Sequence, residues 1–156
     1  MRFLLVAVGD RMPGWVDAAV ADYSRRMPRG QRIELVEVRP EPRQKSSTIE
    51  RILAAEAERL ASAIPSRAVR VVLDERGREL TTAQFVTTAS QWIASGSDVA
   101  FVIGGADGIS PDFKGRADLL LRLSGFTLPH GLVRVMMAEA LYRAVSVLNH
   151  HPYHRA

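Results

Sequence analysis

Val99-Ala100-Phe101-Val102-Ile103 runs directly into Gly104-Gly105-Ala106-Asp107-Gly108. Five apolar residues are long enough for a strand and short for a helix, and glycine after a strand marks a turn. The same grammar recurs along the chain. Arg2–Val8 is apolar throughout after its first residue, the pattern of a strand covered on both faces. Ile33–Val38 mixes Ile33, Leu35, Val36 and Val38 with glutamates, which predicts an edge or half-exposed strand, and Val69–Leu73 is a third apolar run.

Helical patterns separate these runs. Pro13 to Met27 predicts a helix with proline in its first turn and Val16, Ala19, Val20 and Tyr23 on one face. Ser47-Thr48-Ile49-Glu50 has the form of a capping box, opening a helix to about Ala63 with Ile52, Leu53, Ala57 and Leu60 inward. Thr81 to Ala94 is a second capped helix closed by Gly96, and Gly131 to Asn149 is the last. A short helix is predicted from Asp112 to about Leu121, a final strand over Arg122–Ser124, and a polar tail over His150–Ala156. Strands alternating with helices define the fold class: α/β, a mostly parallel sheet with helices on both faces, in one domain over residues 1–156.

Composition narrows the function. The 156 residues are 47% hydrophobic and 24% charged, the balance of an ordinary soluble domain. With no cysteine, a disulfide framework, a thiolate nucleophile and a Cys-ligated zinc are excluded, which suits a reducing compartment. No run approaches the roughly 20 apolar residues of a membrane span. The apolar start ends at Asp10 and Arg11 without a small-residue cleavage site, so it reads as a buried strand; a cytoplasmic protein is expected. The net charge of +4 only hints at a polyanion, but Arg25, Arg26, Arg29, Arg32, Arg39, Arg43 and Lys45 concentrate in one proline-punctuated region. An RNA-facing surface and a solvated face both fit that cluster.

Ligands of open α/β sheets settle beyond the carboxyl ends of strands. Three segments qualify: Leu73-Asp74-Glu75, Gly104–Gly108, and Leu123-Ser124-Gly125-Phe126-Thr127-Leu128 up to Pro129-His130. The glycine loop matches neither the dinucleotide fingerprint nor a phosphate-cradling P-loop, which argues against a nucleotide-dependent oxidoreductase. A plain turn remains open for it. The second run, small and apolar with few charges, suits an adenine held by backbone groups or an ordinary connection. The last helix is apolar on two sides, Val133, Met137, Ala140, Leu141, Ala144, Val145 and Leu148 on one and Leu132, Val135 and Met136 on another, so a second subunit is a candidate cover. Glu139 and Arg143 are spaced as a helical ion pair. For His150-His151-Pro152-Tyr153-His154-Arg155, no carboxylate or thiolate partner supports a metal site; a frayed end and a base-stacking, phosphate-pairing tail both remain.

Several of these stretches together resemble the ribosomal RNA large-subunit methyltransferase H family, SPOUT-class enzymes that methylate N3 of a pseudouridine in 23S rRNA. They are Phe101–Gly105, Thr127–His130 with Leu132–Val135, Ala138–Ala144, His151–Arg155, and Leu5–Gly9 with Met12-Pro13 and Trp15-Val16. Ala106-Asp107 stands where the family often has Pro-Glu, which leaves the glycines intact. The resemblance implies a homodimer, a C-terminal trefoil knot, and S-adenosylmethionine bound by Leu73, Gly104 and Leu123, Ser124, Gly125, Phe126, Thr127 and Leu128. It implies the ribosome as substrate, with no metal. Glu139, His154 and Arg155 are the candidate catalytic residues on this reading, with Tyr153 stacking on the base. A competing expectation, a non-catalytic ribosome-binding factor, explains the charge and the tail but not the glycine loop joined to Leu123–Leu128.

Overall fold

The continuous apolar runs occupy the middle of a five-stranded sheet, where both faces must be covered. A computed structural model describes residues 1–155. The strands are β1 (Arg2–Val8), β2 (Arg32–Val38), β3 (Val69–Glu79), β4 (Val99–Ile103) and β5 (Leu119–Arg122), in the order β2-β1-β4-β3-β5, and every pairing between them is parallel. β1 and β4 are central and almost wholly buried, whereas β2, with its glutamates, lies at an edge.

Side chains of a strand alternate between faces, and two cores follow from that period. Phe3, Leu5, Val71, Val99 and Phe101 face one side and meet Val20 of α1 (Gly14–Arg26), Phe85 and Ala89 of α3 (Thr82–Ser95), and Met137, Leu141 and Val145 of α5 (His130–Leu148). Leu4, Val6, Val8, Val72, Ala100 and Val102 face the other, under Leu60 of α2 (Ile49–Ala63) and Phe113 of α4 (Pro111–Gly115). Helices therefore lie on both faces.

Several boundaries differ from the sequence reading. Helix α4 ends at Gly115, and Leu119–Leu121 of the expected helix are strand, drawn in by pairing with Val71–Leu73. The final strand accordingly ends at Arg122, leaving Ser124 in the following loop. Helix α2 is capped by Thr48, whose Oγ1 accepts from Arg51 N–H at 3.3 Å, while Ser47 Oγ instead accepts from Gln44 N–H at 3.2 Å. The reciprocal capping box belongs to α3, between Thr81 and Gln84. On α5 the buried side includes Arg134, Tyr142 and Ser146, none of which belonged to the apolar stripes. Among the described residues no helix is long and apolar enough to cross a membrane.

Strand β3 runs on past Leu73. Its register with β5 jumps between Leu73 and Arg78, both of which face Leu121, so Asp74–Gly77 bulge outward. Gly77 permits this: a Cβ there would sit 2.7 Å from the Leu121 carbonyl carbon. The bulge carries Asp74, Glu75 and Arg76 to the rim of the cleft described next.

Candidate active site

The carboxyl ends of β3, β4 and β5 enclose a cleft of about 690 Å³, within the range of small-molecule sites. Leu73, Gly104, Leu123, Ser124, Phe126, Thr127 and Leu128 all line it, as do Ile103, Ile109, His130 and the bulge residues. Of the eight residues expected to hold a cofactor, only Gly125 is not part of the wall; it lies beside the Arg122 guanidinium, 3.2 Å from where its Cβ would be. Three strand-end segments separated by up to fifty residues thus share one cleft.

The glycine loop has a defined shape. Gly105 O accepts from Gly108 N–H at 3.0 Å, closing the turn, and Gly108 has φ +80°, a left-handed conformation glycine adopts without strain. Gly104 is required by close approach: its Cβ would fall 2.7 Å from Gly108 O. Asp107 pairs with Arg43, which fastens the loop to the basic segment after β2. From the opposite side the imidazole of His130, the first residue of α5, contacts Gly104 O at 2.9 Å.

Charge on the cleft wall is balanced. Burial alone would raise the Asp74 carboxyl, but the Lys114 ammonium at 2.9 Å and the Arg76 N–H at 2.8 Å outweigh it and hold the group below the usual carboxylate range. Asp74 therefore stays ionised near neutrality and fixes α4 to the β3 bulge. Glu75, Asp107, Arg76 and Arg122 complete the charged lining. Phe126 is 86% exposed, an apolar side chain on the loop that flanks the cleft. Apolar walls beside charged groups of both signs suit a small ligand that combines an aromatic part with a charged one. Among the described residues no group of three or more His, Asp or Glu side chains is placed to hold a metal.

The structure puts the other three candidates elsewhere. Glu139 lines a second, more apolar cavity of about 440 Å³ with Tyr23, Phe85, Val135, Met136, Ala140 and Arg143. Its Oε1 accepts from Arg143 Nε–H at 2.9 Å and from the Tyr153 hydroxyl at 3.0 Å, which itself lies 3.4 Å from the Tyr23 hydroxyl. Burial, with Tyr23 and Glu139 as neighbours, pushes the Tyr153 hydroxyl well above its ordinary range. His154 and Arg155 belong to a closing 3-10 turn (Pro152–Arg155) that returns to the flank of α5. Within one chain, none of Glu139, His154 or Arg155 reaches the cleft wall. Residue 156 of the expected tail lies outside the described residues.

Three groups were absent from the sequence candidates: Arg76, Lys114 and, behind the wall, Arg134. The signal for Arg134 is a lone charge inside Leu132-Val133-Arg134-Val135-Met136-Met137, four residues after a histidine. Its partners cannot be read from spacing, because Glu37 and Gly9 are 97 and 125 residues away.

The parallel five-stranded sheet has its cleft where open α/β sheets bind their ligands, beyond the carboxyl ends of the strands. The family model "Predicted SPOUT methyltransferase" matches residues 1–154, and the chain belongs to that family. Among curated relatives, the ribosomal RNA large subunit methyltransferase H of Laribacter hongkongensis is 56% identical over 155 residues, covering 99% of each chain. The proteins of the same name from Chromobacterium violaceum and Burkholderia thailandensis are each 54% identical, over 155 and 156 residues, with 99% and 100% of both chains covered. A solved structure of a probable methylase family protein from Haemophilus influenzae superposes with TM-score 0.58, over 97% of this chain and 69% of that one. At 15% identity that likeness speaks to the fold alone.

Proposed function

We propose that this protein is a homodimeric, cytoplasmic, S-adenosylmethionine-dependent methyltransferase acting on N3 of a pseudouridine in the 23S rRNA of the ribosome. The observation that carries the reading is the convergence of Leu73, Gly104 and Leu123–Leu128 on one cleft, in a chain 54–56% identical to proteins named for ribosomal RNA methylation. When bound, the cofactor supplies an electrophilic methyl group on a sulfonium centre. The residues of the chain then have three tasks. The glycine turn and Leu123–Leu128 bind and orient that group, which is mainly a matter of positioning. Apolar walls from Ile103, Ile109 and Leu128 exclude water. A further group must accept the imide proton of N3 as the new N–C bond forms and the S–C bond breaks.

Glu139, His154 and Arg155 are assigned to the RNA side of this reaction: Arg155 neutralises charge on the pyrimidine carbonyls, and His154 or Glu139 serves the departing proton. Their distance from the cleft within one chain supports a second copy as the source of these groups. So does α5, whose Val135, Met136 and Ala140 stay only half-buried beside the second cavity. A trefoil knot formed by the C-terminal chain is part of the same reading. The test is to incubate the protein with unmethylated ribosomes and labelled S-adenosylmethionine, then map the modified nucleotide by mass. Label in N3-methylpseudouridine of 23S rRNA is the expected result; ribosome binding without transfer would favour a non-catalytic factor.

A further inference from the structure

Arg134 is wholly buried, with 0% of its surface exposed, and a charge removed from water must be matched by the groups around it. All three guanidinium nitrogens are used. Nε–H donates to His130 Nε2 at 3.0 Å, one terminal nitrogen to Glu37 Oε2 at 2.8 Å, and the other to Gly9 O at 3.0 Å. A guanidinium can only donate, so His130 Nε2 must present a lone pair. The Gly104 carbonyl can only accept, so Nδ1, 2.9 Å away, must carry the proton. Two partners of fixed polarity thereby dictate a single neutral tautomer.

This has a direct chemical consequence. His130 lines the cleft, yet neither ring nitrogen is left to take a proton from a substrate. What the imidazole does instead is hold the carbonyl at the root of the glycine turn. Gly104 is packed so closely against Gly108 and Ile109 that a displacement of its carbonyl shifts the turn. The same guanidinium ties in the loop after β1 through Gly9 and the edge strand through Glu37, so three strand ends are referred to the first turn of α5.

We propose that Arg134 and His130 are positioning residues for the cofactor loop: the buried guanidinium holds the imidazole in its Nδ1–H form, and the imidazole holds the Gly104 carbonyl. Burial and the neighbouring Arg134 charge lower the basicity of the ring against the opposing pull of the Gly104 carbonyl and Glu37, in keeping with that form. The effect on a ligand rests on the cleft being the S-adenosylmethionine site; the state of the imidazole does not.

The experiment has two arms, both on the full chain. In the first, nitrogen NMR of the imidazoles is expected to show His130 with Nδ1 protonated and Nε2 bare, staying neutral below the ordinary histidine range. An Nε2–H ring, or an ordinary titration, overturns the proposal. In the second, S-adenosylmethionine is titrated calorimetrically into the wild type and two variants. His130→Ala removes the donor to Gly104 and is expected to weaken binding about tenfold or more. His130→Asn places an amide N–H where Nδ1 was and is expected to stay within about threefold of wild type. No loss in His130→Ala, or equal loss in both, overturns the positioning role. A wild type that binds no S-adenosylmethionine would sink the proposed activity while the nitrogen spectrum still decides the clamp.

Discussion

Helix α5 carries two arginines with opposite circumstances. Arg134, near its start, is sealed from water and spends every nitrogen on partners from three other segments. Arg143, near its end, is 26% exposed, pairs with Glu139 one turn away at 2.7 Å, and lies under the Tyr153 ring, 5.0 Å from its centre. The first arrangement can be opened only by exposing uncompensated polar groups. The second joins one helix, its own tail and Tyr23 of α1 at a part-exposed site, where water can replace a lost partner. On the proposed function, rigid clamping sits at the cofactor loop and the part-exposed pair sits on the side that would meet RNA.

The largest effect expected from breaking this contrast is on activity. Deleting residues 154–156 should lower methyl transfer to ribosomes more than about a hundredfold, the scale of lost acid–base and charge-stabilising groups, while leaving the melting temperature and cofactor affinity near wild type. Tritium counting decides it, and ordinary transfer by the truncated protein would remove the tail from the reaction. Next comes stability at the buried end. Arg134→Ala strands Gly9 O and His130 Nε2 and leaves a cavity, while the exposed Glu37 carboxylate returns to water; it should cost about 2–4 kcal/mol, read as the shift in urea midpoint.

The pH response sharpens the same point. Burial and the neighbouring Arg134 charge, against the opposing pull of Gly104 O and Glu37, hold His130 below the ordinary 6.5 in the folded chain, so the unfolded chain takes up the extra proton more readily. Its contribution to stability is complete above about pH 6.5 and lost as pH falls through the folded value. Urea midpoints measured from about pH 7.5 down to about 5.5 should therefore fall, and His130→Asn should flatten part of that slope. A variant with the full wild-type slope would assign it to other groups. The smallest effect belongs to the part-exposed pair: Glu139→Gln keeps an acceptor for Arg143 and Tyr153 and should change stability by about 0.5–1 kcal/mol, measured by the same urea titration.

Much of this was legible in the sequence. Continuous apolar runs such as Leu4–Val8 mark strands covered twice, and Gly104–Gly108 after Val99–Ile103 marks the turn at a strand end. Leu73, Gly104 and Leu123–Leu128 could be selected because strand ends are where such sheets bind ligands. Features set by distant contacts were not legible. Leu119–Leu121 have good helical propensity, and only pairing with Val71–Leu73, 48 residues back, makes them strand. Arg134 reads as a solvent-facing charge until Gly9, Glu37 and His130 are brought around it. Glu56 reads the same way, yet it is buried, with Oε1 accepting from Glu41 N–H at 3.1 Å.

Leu121, Arg122 and Leu123 line both the strand-end cleft and the cavity beside Glu139. The end of β5 is therefore a partition a single strand thick between two chambers. An occupant of one chamber that displaces this partition alters the free energy of filling the other, and thermodynamic linkage makes the dependence equal in both directions. Four residues of edge strand are enough for the two chambers to be measured against each other: each affinity should be titrated with the other chamber both empty and filled.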